Sequence, residues 1–109
     1  MSYQHQELAL GKWFKMSMVE QLANVGSEVE RVILWRDKKN EYSQKAFERT
    51  LELMDFTLGD PKNRHRLREL ARTREALVDY FLGDNDYRSS DDLWRKYFFA
   101  FNWAARLGK

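Results

Sequence analysis

Apolar residues recur three and four positions apart along almost the whole chain, and no stretch of four or more residues alternates as a strand would. That spacing places apolar side chains on one face of an α-helix, so the pattern predicts an all-α fold. The first clear helix opens at Ser17 with Glu20 three residues on, a capping box in which the hydroxyl takes the Glu20 amide and the carboxylate reaches back. Its stripe is Met18, Leu22, Val25, Val29, Val32 and Ile33. Gly26 adjoins the stripe; a glycine there costs about 1 kcal/mol against alanine, a cost that close approach of a neighbouring helix would offset. The polar run Asp37-Lys38-Lys39-Asn40 breaks the pattern, and a second helix follows on Phe47, Thr50, Leu51, Met54 and Leu58, ending at Gly59. Asp60 before Pro61 reads as an N-cap with proline at the first helical position. The third helix rests on Leu67, Leu70, Ala71, Leu77, Val78 and Phe81, with Gly83 as a left-handed terminator. Asp84-Asn85-Asp86-Tyr87-Arg88 is a turn-rich loop. Ser89 or Ser90, with Asp91 and Asp92, then caps the last helix and complements its dipole.

That last helix, residues 90–107, is apolar around most of its circumference: Leu93, Trp94, Tyr97, Phe98, Phe99, Ala100, Phe101, Trp103, Ala104 and Ala105 leave only Arg95, Asn102 and Arg106 as a polar strip, with Lys96 at its margin. A helix apolar all round is a buried one, so it is expected to be nearly surrounded. Short loops place consecutive helices antiparallel, which gives an up-down-up-down four-helix bundle. At 109 residues the chain has the size of one domain, spanning residues 1–109. Residues 1 to about 12 either fray or form a short helix through Glu7, Leu8 and Leu10 that packs Trp13 and Phe14 over one end.

Charged residues make up 33% of the chain and are spread in both signs, which together with the aromatic content argues for an ordered core. The net charge of +2 is small beside the charges that cancel within it, and it names no partner. Cysteine is absent, so no disulfide framework, thiolate nucleophile or cysteine metal cluster exists, and a reducing cytosol is the simplest setting. The start of the chain lacks a basic segment followed by an apolar one, and the most apolar run, residues 97–101, falls far short of the roughly 20 residues of a membrane helix. A cytoplasmic protein off the membrane is expected.

Candidate chemistry is sparse. Residues 62–74 hold six lysines and arginines against the single acid Glu69. On a continuous helix Arg64, Arg68 and Arg72 stack at four-residue intervals, a face that could follow a nucleic-acid backbone. A solvated basic face beside Glu41, Glu48, Glu52 and Asp55 is the simpler account. Arg74 falls among the core positions of the third helix and needs a partner; Glu28 is the first choice for a buried ion pair, before Asp55 and Glu75. Glu48 and Glu52 lie one turn apart, as do Glu75 and Asp79, and four acids on facing helices could hold Mg²⁺. Those four positions loosely resemble the all-α nucleoside triphosphate pyrophosphohydrolases, whose paired acids bind phosphate-bridging magnesium. Here, however, the acids fall on helix flanks, and catalytic ligands must converge. No other metal site and no cofactor are expected: His5 and His65 are the only histidines, and neither Glu-x-x-His nor a glycine-rich phosphate loop occurs. Asp84-Asn85-Asp86 lacks the glycine and the twelfth-position glutamate of a calcium loop, and reads as a turn.

The aromatic flanks are the remaining clue. The last helix shows Trp94, Phe98 and Phe101 on one side and Phe99 and Trp103 on the other, and the second helix carries Tyr42, Leu53 and Phe56 away from its stripe. One small bundle covers only some of these, and large apolar patches mark interfaces. The reading that follows is a non-enzymatic protein acting by self-association or with a protein partner, with Trp94, Phe98, Phe99, Phe101, Trp103 and Phe56 as its contacts. The competing account is a wide core with the last helix central, closed over by Trp13, Phe14 and Trp35.

Residues 18–31 (MVEQLANVGSEVER), 45–55 (KAFERTLELMD) and 83–87 (GDNDY) are distributed over most of the chain. They resemble a family of small, uncharacterised prokaryotic helical proteins. The resemblance implies a bacterial or archaeal cytosolic origin and supplies no functional residues.

Overall fold

The computed structural model describes residues 6–108, with side chains from residue 11 onward. Its regular elements are all helical: α1 (Gln6–Lys15), α2 (Met18–Trp35), α3 (Asn40–Gly59), a 3-10 helix (Pro61–Arg66), α4 (Leu67–Leu82) and α5 (Asp91–Leu107). The all-α expectation holds. From Gln6 the N-terminal stretch is the short helix rather than a fray; residues 1–5 and the side chains of Glu7, Leu8 and Leu10 lie outside the described residues. Trp13 is buried as expected, whereas Phe14 is exposed. Both bonds of the Ser17–Glu20 capping box form, each at 3.1 Å, and Ser90 caps α5 by accepting the Leu93 amide.

The hub is α2, which packs against both α3 and α5 and buries Leu22, Val25, Val29, Val32 and Ile33. The close approach anticipated at Gly26 is real, and its partner is α5: a Cβ at position 26 would come within 2.6 Å of the Phe98 Cβ. On the other side α3 buries a wider arc than its stripe, because α1 also packs on it. Leu53 and Phe56, expected on its outer side, belong to the main core.

A buried polar cluster ties α1, α2, α3 and the 3-10 helix together. Gln21 donates from Nε2 to the Trp13 carbonyl at 2.9 Å and to Asp60 Oδ2 at 2.8 Å, and its Oε1 accepts from Asn63 Nδ2 at 2.8 Å. Asn63 also donates to the Thr57 carbonyl, and the Trp13 indole N–H donates to Thr57 Oγ1. Lys62 closes the cluster, its ammonium reaching Asp60 and the Phe14 carbonyl. Burial pushes the Asp60 carboxyl upward, but the bonds from Lys62 and Gln21 outweigh it and hold the group below its ordinary value.

Two helix ends differ from expectation. Pro61 opens a 3-10 helix, and Arg66, at φ −114°, breaks the phase before α4; Leu67 is consequently exposed. Gly83 is extended at φ −103°, and the left-handed residues of the loop are Asn85 and Arg88 at 57° and 55°. The loop is fastened by Asp79, whose carboxylate accepts the Asp86 and Tyr87 amides at 2.9 and 3.0 Å.

Candidate functional site

Helix α5 is anchored along one side only. Its inner face buries Trp94 and Phe98, stacked with ring centroids 5.9 Å apart, and half-buries Tyr97 and Phe101. Asp91 at its start receives a bidentate pair from Arg36 at 2.7 and 3.1 Å and the Tyr80 hydroxyl at 2.6 Å. The Arg36 bonds hold the Asp91 carboxyl below its ordinary value, and burial raises the Tyr80 phenol. Tyr97 Oη lies 3.2 Å from Thr73 Oγ1, and Arg95 makes a bidentate pair with Glu30 at 2.8 and 2.9 Å. The helix is therefore pinned to α2 and α4 at several levels. The Trp94 indole N–H is buried without an acceptor among the described residues, a cost of about 1–3 kcal/mol that its ring packing must offset.

The polar strip of Arg95, Asn102 and Arg106 is exposed along the edge of α5 that borders α2. Arg95 and Asn102 line an open groove of about 540 Å³ against α2, with Gly26, Ser27 and Glu30 opposite. The side facing away from the bundle carries large exposed apolar groups, Leu93 at 55%, Phe99 at 64%, Trp103 at 53% and Leu107 at 68%, with Ala100 and Ala104 also exposed and the charges of Asp92, Lys96 and Arg106 set among them. Within one chain, then, α5 is not surrounded, contrary to the expectation from its composition. Apolarity around the whole helix records what can be buried, and this fold covers about half of it. The proposed contact set divides accordingly. Trp94, Phe98 and Phe56 are consumed by the chain's own core, Phe101 is half-buried, and Phe99 and Trp103 remain outside.

The other candidates are dispersed. Arg74 pairs with Asp55, not Glu28, at 2.7 Å, and the pair is not buried; Glu28 instead accepts from Arg31. Arg64, Arg68 and Arg72 are all exposed, but Arg64 sits on the 3-10 helix and falls out of the row that Arg68 and Arg72 share. Glu48 is exposed, whereas Glu52 is buried and paired with Arg49 at 3.0 Å, against the expectation that all four acids lie on the flank or outer side of their helices. Glu75 accepts the Tyr87 hydroxyl, and Asp79 is occupied by loop amides. Among the described residues no group of three acids or histidines converges as a metal site would require. No helix among them is long and apolar enough to cross a membrane.

Sequence reasoning missed the Gln21–Asp60–Asn63 cluster and the Arg36–Asp91–Tyr80 triad. A glutamine next to the α2 stripe at Leu22 was the one available signal for the former. No protein-family model, curated protein or solved structure matches this chain.

Proposed function

We propose that this protein is a non-enzymatic helical module that acts by self-association through the outer face of α5. The observation that carries the reading is the uncovered apolar arc of Leu93, Phe99, Ala100, Trp103, Ala104 and Leu107 on a helix whose other side is firmly anchored. Soluble monomers rarely leave so many large apolar side chains open on one face, here interrupted only by charged residues such as Lys96. Two alanines between larger side chains also suit the ridge-and-groove fit of a second helix. In sedimentation at micromolar concentration the wild type is expected to run larger than its 13.2 kDa chain mass. Trp103→Glu, at an exposed site, should shift it to monomer with unchanged helical circular dichroism. A strictly monomeric wild type would overturn the reading.

A second reading has its own observation. Arg64, Arg68 and Arg72 are exposed and paired with no acid among the described residues, while Arg66 pairs with Glu69 and Arg74 with Asp55. Such free guanidinium groups fit a phosphate backbone. Binding to mixed-sequence DNA or RNA, followed by fluorescence anisotropy, should then weaken steeply with salt, with a slope reduced by about one for each arginine replaced by glutamine. Absence of binding at low salt would remove it.

A further inference from the structure

Spacing along the outer arc of α5 carries more than apolarity. Residues seven apart return to within about 20° of one line on a helix. Leu93, Ala100 and Leu107 therefore form one row along the exposed face, and Asp92, Phe99 and Arg106 form a second row along its edge, with Lys96 and Trp103 between the two. All eight side chains are exposed. The edge row reads acid, aromatic, base. Turned end for end it reads base, aromatic, acid, so the row is complementary to its own inverted copy.

We propose that the occupant of this face is a second copy of the chain, with the two α5 helices antiparallel about a twofold axis passing beside Phe99. In this register Asp92 of each copy faces Arg106 of the other, and the two Phe99 rings meet at the axis. Leu93 of each copy packs against Trp103 of the other, as core positions alternate in heptad pairing. A twofold interface is isologous, so each contact occurs twice. A parallel pairing would instead set Asp92 against Asp92 and Arg106 against Arg106, and would align the two helix dipoles unfavourably. Asp91 and Arg95 of α5 are fastened to Arg36 and Glu30, whereas Asp92, Arg106 and Lys96, the last lying between the two rows, are in no ion pair among the described residues.

This inference rests on the reading of α5 as the association face, and its test separates the two. Dimerisation is measured by sedimentation equilibrium for the wild type, Trp103→Glu, Asp92→Arg, Arg106→Asp and the double exchange. Each single reversal turns two attractive pairs into two repulsive ones and is expected to weaken dimerisation about tenfold, exposed pairs being individually modest. The double exchange Asp92→Arg with Arg106→Asp should return it to within about threefold of the wild type, although both new charges oppose the dipole of their own helix. A wild-type dimer that Trp103→Glu dissociates, but that the single reversals leave unchanged or the double exchange fails to restore, overturns the antiparallel pairing and leaves α5 as the interface. A monomeric wild type overturns both.

Discussion

Replacing Gln21 with leucine is expected to lower folding stability by about 3–5 kcal/mol, read as a shift in the midpoint of urea unfolding. The side chains are of similar size, so the loss is one of hydrogen bonding rather than volume. Gln21 is fully buried, and its amide reaches α1, the Asp60 cap and Asn63 together. Leucine leaves one Asn63 N–H without its acceptor, strips a bond from a buried carboxylate and removes one of two donors from the Trp13 carbonyl, which keeps the Met16 amide. Each unsatisfied buried group costs about 1–3 kcal/mol, and a buried charge that loses a partner costs more. Against a total of about 5–15 kcal/mol for a domain, this is a large fraction.

The pH dependence provides an internal check. The folded-state Asp60 carboxyl lies below its ordinary value, so its ionised form stabilises the fold above about pH 4, and that contribution is lost as pH falls through the depressed folded value. Gln21→Leu removes one of the bonds that depress it, so the difference between variant and wild type should narrow in acid. A loss below 1 kcal/mol at neutral pH would show that the cluster is incidental to the fold.

Local chemistry made several features readable before any coordinates. The capping box at Ser17, the caps at Asp60 and Ser90 and the stripe of α2 depend on residues within a turn or two of one another, and all of them form. What the chain concealed is long-range. Gln21 meets partners 39 and 42 positions away, and Arg36 meets Asp91 at a separation of 55. Spacing along one helix cannot rank such partners, which is why the sequence points Arg74 to Glu28 although Asp55 is the residue in reach. The same limit explains the inverted order of the bundle. Periodicity reported that α5 has the most apolar surface, but coverage is decided by neighbours, and α2, with its narrower stripe, is the helix that has them on both sides.

The crossing of α2 and α5 supplies the second large effect, and its sign runs against helix propensity. Alanine at position 26 should stabilise an isolated helix by about 1 kcal/mol relative to glycine. Here the new methyl group would lie 2.6 Å from Phe98 Cβ and 2.9 Å from Cγ, and carbon atoms rest at about 3.5–4.0 Å. The atoms in the way are at the root of the side chain, so no rotamer change clears them, and the two helices must part by about 1 Å. That movement loosens Trp94 and Phe98 against α2. Gly26→Ala is therefore expected to lose about 2–3 kcal/mol net in urea or thermal unfolding, within the range for overpacked cores. Gly11→Ala is the matched control: nothing lies within 4 Å of its added Cβ, so it should be neutral or gain up to about 1 kcal/mol. Equal behaviour of the two variants would mean that the contact at Phe98 does not constrain α5. The outer residues of α5 are unchanged in Gly26→Ala, so its folded fraction should still associate, separating what holds this helix to the bundle from what its far side offers to a partner.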